Sequence, residues 1–136
     1  MSRQTTKSRL VRCVALFVGL GYAAGMSFAG QQPPGKSPER IFQVAQQNLQ
    51  AGSYSEAEKG FREVLRLDPR SAAAYANLGV VYLRTNRFQD AVESFQEATR
   101  LAPNVAGLYL NLGLAYLNLG KYPEAIPPFR RALDLA

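Results

Sequence analysis

Glu56, Glu58, Glu63, Asp90, Glu93, Glu97 and Glu124 are the side chains best suited to catalysis in this sequence, because paired carboxylates can divide the roles of general acid and base. Little else supports such chemistry. The chain has no His, and its single Cys, Cys13, lies in an apolar N-terminal run. The usual proton shuttles, metal ligands and thiol nucleophiles are therefore missing. Glycines fall at helix ends or singly inside apolar stretches, not in a loop that would cradle phosphate. Several carboxylates have a cation three or four residues away, as Glu58 has Arg62 and Glu97 has Arg100, the spacing of ion pairs on a solvated helix face. Composition thus points away from an enzyme, a metal site or a bound cofactor.

The elements that carry these carboxylates repeat. Tyr75, Leu78, Gly79, Tyr82, Ala91, Phe95 and Ala98, in a copy closed by Pro103, recur 34 residues later as Tyr109, Leu112, Gly113, Tyr116, Ala125, Phe129 and Ala132. Stepping back by 34 gives Ile41, Val44, Ala45, Asn48, Ala57, Phe61, Val64 and Pro69, the most divergent copy. A fixed period of this length means stacked supersecondary units, none able to bury its apolar face alone. The pattern Tyr-x-x-Leu-Gly-x-x-Tyr, Ala-x-x-x-Phe, Pro resembles the tetratricopeptide repeat, with Tyr75 and Tyr109 where that family usually has Trp. The resemblance spans residues 38–136 and implies an all-α fold: an α-α superhelix, or solenoid, of three helix-turn-helix repeats at 38–71, 72–105 and 106–136. The third lacks its final residues and a capping helix. Phe129, Ala132, Leu133 and Leu135 are then expected to be partly exposed, making that end a surface for self-association.

Helix boundaries follow from local chemistry. Ser37-Pro38-Glu39 supplies an N-cap, a first-turn proline and a first-turn acid, so a helix is expected over 38–50, ended by Ala51-Gly52. Ser53-x-x-Glu56 reads as a capping box opening a partner helix that ends before Asp68-Pro69. The later helices are expected over 72–84, 88–101, 105–119 and from Pro123 to the end. Gly79 and Gly113 each cost about 1 kcal/mol inside a helix, which implies close helix approach there, with Ala45 serving the same purpose in the first copy. Pro127-Pro128 falls inside the last helix, where an interior proline costs ~3 kcal/mol, and irregular geometry is expected.

The first 37 residues read separately. Arg3, Lys7, Arg9 and Arg12 precede an uncharged run of 17 residues, Cys13 to Ala29, closing on Ser27-Phe28-Ala29. This is the layout of a secretory signal peptide over 1–29, cleaved after Ala29. The alternative is an inner-membrane anchor through residues 13–29, in which case the protein is held at a membrane. Residues 30–37 are polar, Pro- and Gly-rich, and read as a flexible linker. The leader holds four of the 16 basic residues, leaving 12 against 10 acids, a net of +2. With no basic stripe, nucleic acid is not an expected partner. An exported, periplasmic or secreted, bacterial protein is the localisation these features imply.

What remains is a surface. In the resembled family the first helix of each pair lines a concave groove that receives extended or helical segments of protein partners. Carried over by register, the groove positions are Phe42, Gln46 and Leu49 in the first copy, and Asn77, Val80, Leu83 and Arg84 in the second. The third supplies Leu110, Asn111, Leu114, Leu117 and Asn118. The family's clamp for a C-terminal carboxylate is not reproduced. Only Asn77 matches it, whereas Phe42, Gln46, Gly107 and Asn111 stand at its other positions. An apolar groove with amides suits an apolar helix face plus hydrogen bonds to exposed peptide groups. The resulting expectation is an exported, non-catalytic scaffold that binds a protein or peptide, in envelope complex assembly. The rival is the recognition arm of a larger enzyme whose catalytic domain lies beyond residue 136.

Overall fold

Ser37 begins the first repeat as expected, its hydroxyl accepting the Arg40 backbone N–H at 3.3 Å. The computed structural model describes residues 37–136, which form six helices. These are α1 (Pro38–Gln50), α2 (Tyr54–Leu67), α3 (Ala72–Arg84), α4 (Phe88–Leu101), α5 (Ala106–Asn118) and α6 (Tyr122–Leu135). No strand occurs among the described residues. The signal-peptide, anchor and cleavage readings fall on residues outside the described ones. No helix of the described residues is long and apolar enough to cross a membrane.

The three repeats share one turn. Gly52, Asn86 and Gly120 occupy the same register and all adopt positive φ, at 77°, 59° and 77°. Each ends its first helix with the same pair of backbone bonds, in which Gly52 N–H donates to Leu49 O and Ser53 N–H to Asn48 O. Asn86 and Arg87, then Gly120 and Lys121, repeat the arrangement. Asparagine is the non-glycine residue that best tolerates this left-handed position, which is why Asn86 can stand between two glycines in the repeat.

That turn corrects the capping-box expectation. Ser53 makes no side-chain cap bond, and its own N–H, the intended target of Glu56, is already donated to Asn48 O at 2.8 Å. Glu56 instead accepts from Lys59 Nζ at 2.9 Å. The third repeat's helices start and stop one residue from the expected boundaries, at Ala106, Asn118 and Tyr122.

Packing follows the repeated stripe. Leu78, Tyr82, Ala91, Phe95 and Ala98 are all buried, and one apolar cluster runs from Ala45 and Phe61 through Phe95 to Leu112 and Ala115. The two mid-helix glycines make room for rings. A Cβ on Gly79 would lie 2.6 Å from Phe95 Cζ, and one on Gly113 would lie 2.6 Å from Phe129 Cε1. In the first repeat the arrangement is inverted, and Ala45 does not stand in for the glycine. The glycine there is Gly60 on the facing helix, where an added Cβ would meet Ala45 Cβ at 2.6 Å.

The position of Gly60 becomes Ser94 and then Pro128 in the later repeats, both buried. Bulk has moved from one helix to the other as the glycine changed sides. α6 runs unbroken through both prolines, contrary to the irregular geometry expected. The carbonyls that lose their donors, those of Pro123 and Glu124, belong to exposed residues of the first turn, where water can reach them.

Candidate functional site: the inner helix layer

The first helices form the inner layer of the stack. α1 touches α3 and α3 touches α5, whereas α2, α4 and α6 make no contact with one another among the described residues. Helices that meet at successive repeats lie at the smaller radius, so the shared face of α1, α3 and α5 is the concave one.

All twelve predicted groove residues lie on these three helices, but no single cavity holds them. Phe42 and Gln46 line a groove of about 410 Å³ with Val64, Asp68 and Ala73. Phe42 is half-buried, its ring edge-on to Phe61 at 5.5 Å between centroids. Leu49, Val80 and Arg84 meet in a second groove of about 430 Å³ beside Gln50 and Tyr54. Leu49, Val80 and Leu83 are partly buried against the core, so much of their apolar surface already serves the fold.

The third repeat differs. Leu110, Leu114 and Leu117 remain 48%, 38% and 39% exposed. Leu110 also borders an apolar groove of about 390 Å³ between α5 and α6, with Ala106, Gly107, Phe129, Ala132 and Leu133. The amides do not divide by repeat. Asn77 Nδ2 donates to Ala73 O and Asn118 Nδ2 to Leu114 O, each at 2.8 Å, which leaves their Oδ1 atoms as acceptors. Asn111 is half-buried and makes no side-chain hydrogen bond among the described residues. Arg84 is exposed on the same layer without a carboxylate partner among the described residues.

Electrostatics concentrate away from this face, at the junction of repeats one and two. The Tyr82 hydroxyl accepts from Arg62 Nη2 at 3.0 Å and donates to Glu58 Oε1 at 3.2 Å. Arg87 joins the group, donating to Glu58 Oε2 at 2.9 Å and Asp90 Oδ2 at 2.8 Å, with its guanidinium 4.4 Å above the Tyr82 ring. Burial pushes the Tyr82 phenol above the ordinary tyrosine value, with Glu58 adding to the rise and Arg62 opposing it. The phenol therefore stays neutral at physiological pH and acts as a hydrogen-bonding hub. At the next junction the register places Val92, Gln96 and Tyr116, and only Gln96 Nε2 donates to the hydroxyl, at 2.9 Å. Composition alone gave no signal for the contact of Arg87 with Glu58, because that partner comes from the preceding repeat.

Of the other carboxylates, Glu93 accepts from Gln89 Nε2 at 3.0 Å, Glu124 has no partner among the described residues, and Glu56 with Lys59, Glu63 with Arg66 and Glu97 with Arg100 form ion pairs on exposed surface at 2.7–2.9 Å. Such pairs are individually weak. Among the described residues no buried side-chain nitrogen or oxygen lacks a partner, and no three or more acids, Cys or His converge on a metal position. What the arrangement offers is apolar surface, amide acceptors and the Arg84 guanidinium along an inner layer of helices.

A family model for the tetratricopeptide repeat matches residues 45–106 and, overlapping it, 81–136. The chain belongs to the tetratricopeptide repeat family. Solved structures similar to it include the crystal structure of MamA, at 26% identity and a TM-score of 0.70 over 73% of this chain and 58% of that one. A second structure titled crystal structure of MamA protein gives the same identity and TM-score over 73% and 54%. A structure of a MamA mutant, at 25% identity and a TM-score of 0.69, is matched over 73% of this chain and 72% of that one. The chain thus spans less than two thirds of the first two proteins. No curated protein matches it. The all-helical repeat architecture and its use as a protein-interaction scaffold stand on this membership.

Proposed function

We propose that this tetratricopeptide protein is an exported, non-catalytic scaffold that binds an apolar-faced segment of a protein partner along α1, α3 and α5, in the assembly of a cell-envelope complex. The observation that carries the reading is the exposed row Leu110, Leu114 and Leu117 on the inner helix of repeat three, in the register where Phe42 and Leu49 of repeat one and Val80 and Leu83 of repeat two are partly buried against the core. Contiguous exposed apolar side chains mark interaction surfaces. Asn111, with no internal hydrogen bond among the described residues, and the Oδ1 atoms of Asn77 and Asn118 supply polar contacts for the peptide groups of a bound segment. Export rests on the N-terminal pattern alone, and predicts a mature chain beginning at Gly30. Mass spectrometry finding Met1 retained on the exported protein favours the membrane-anchored form instead. The exposed apolar surface of α6, where Ile126 and Leu133 are 55% and 76% exposed, supports self-association as a second contact.

Site-specific photo-crosslinking in cells tests the groove. A photo-reactive residue replacing Leu114 is expected to yield a discrete adduct with another polypeptide, and one replacing the exposed Glu93 on outer helix α4 is not. Adducts from both positions alike, or from neither, contradict a concave binding face.

A further inference from the structure

The junction of repeats one and two encloses a groove of about 540 Å³ with three walls. α3 contributes Tyr75, Leu78 and Tyr82, α4 contributes the acids Asp90 and Glu93, and α2 closes it with Arg62, Leu65 and Arg66. Thirty-four residues earlier the first two walls recur. Ile41, Val44 and Asn48 of α1, with Glu56 and Lys59 of α2, line an open groove of about 380 Å³. The third wall is missing there among the described residues, and the cost is visible in exposure: Leu78 is 4% exposed, its counterpart Val44 47%.

The missing wall exists elsewhere in the chain. Sixty-eight residues after Arg62, Leu65 and Arg66 stand Arg130, Leu133 and Asp134 of α6. Leu133 is 76% exposed, whereas Leu65 is half-buried. The charges match as well. Arg62 and Arg66, ion-paired on their own helix with Glu58 and Glu63, line the internal groove with Asp90 and Glu93, and by register Arg130 stands to Glu56 with the same polarity and Asp134 to Lys59 with both signs reversed. Arg130 and Asp134 have no partner among the described residues.

We infer that a second copy of this chain covers α1, docking head to tail with its α6 seated in the groove lined by Val44, Glu56 and Lys59, and so reproducing the internal junction between molecules. This rests on the self-association reading above and names the surface that receives α6. The contact joins two different patches. It is therefore heterologous, and a chain that uses both patches adds copies without closing a dimer.

Sedimentation velocity on the full chain across a range of concentrations tests it. The wild type is expected to grow past a dimer as concentration rises. Val44→Asp, which breaks the receiving groove, and Leu133→Asp, which breaks the inserted helix, are each expected to be monomeric alone with an unchanged melting temperature, since both side chains are exposed. Mixed, they retain one intact groove and one intact helix between them, and are expected to form a dimer and nothing larger. Asp134→Lys is expected to weaken assembly and Lys59→Glu in the same chain to restore it, a check that holds even if an aspartate variant misfolds. A monomeric wild type overturns self-association itself. Assembly that survives Val44→Asp, a dimer formed by either single variant alone, or no rescue by the second charge change overturns the head-to-tail contact.

Discussion

Repeats two and three place the same residue types at the same register, yet they bury them differently. Phe95 is fully buried and Phe129 half-buried, Tyr82 is buried and Tyr116 half-buried, and Leu83 is partly covered where Leu117 is exposed. The repeated pattern fixes which way each side chain points, while the neighbouring helices decide how much of it is covered. α3 packs on helices of both other repeats and α4 on α5 of repeat three, whereas α5 packs outside its own repeat on repeat two alone and α6 packs on α5 alone among the described residues. Identical letters are structural in one repeat and available for recognition in the next.

The largest expected effect of this difference is at the aromatic pair. Phe95→Ala should cost about 3–5 kcal/mol, the range for a fully buried ring, and Phe129→Ala clearly less. Urea titrations of the two variants measure the gap, and equal losses would remove the distinction between the repeats.

Next come the glycines beneath those rings. Gly79→Ala sets a Cβ 2.6 Å from a ring enclosed on all sides, and overpacking costs typically ~1–3 kcal/mol, enough to outweigh the gain of ~1 kcal/mol in helix propensity. Gly113→Ala meets a half-buried ring that can shift outward, so the propensity gain should nearly cancel the clash. Thermal melts should show a lowered midpoint for the first substitution and little change for the second.

The smallest difference is on the inner face. Leu83→Ala removes a side chain packed on the core and should cost about 1–2 kcal/mol, while Leu117→Ala should stay within ~0.5 kcal/mol of wild type, as surface changes do. A larger loss at Leu117 in a denaturant titration would make it a structural residue.

Most of the fold was legible in the chain, because helix starts, stops and the apolar stripe are local or periodic. Ser37 and the two mid-helix glycines carry their meaning within a few residues of themselves, and the 34-residue spacing carries it by repetition. The misreadings were all cases where a group had a competing or distant partner. Ser53 resembles a capping residue, but its N–H closes the preceding turn. Ala45 resembles the glycine substitute, but the space it needs is made by Gly60 on another helix. Pro128 looks like a breaker, yet it occupies the buried position that Gly60 and Ser94 hold in the other repeats, in a helix that runs on through it. For the groove, register placed all twelve residues on the inner layer but carried no information on their exposure, which depends on the next repeat.

The central claim is that the leucines of α5 serve recognition and not folding. Its most direct test introduces Leu114→Asp and Leu117→Asp together into a chain carrying a photo-reactive residue at Leu110, following the crosslinked adduct in cells and the melting temperature of the purified protein. The expected result is loss of the adduct with a melting temperature close to that of the parent chain. An adduct that persists, or a midpoint that falls as far as for a core substitution, would contradict it.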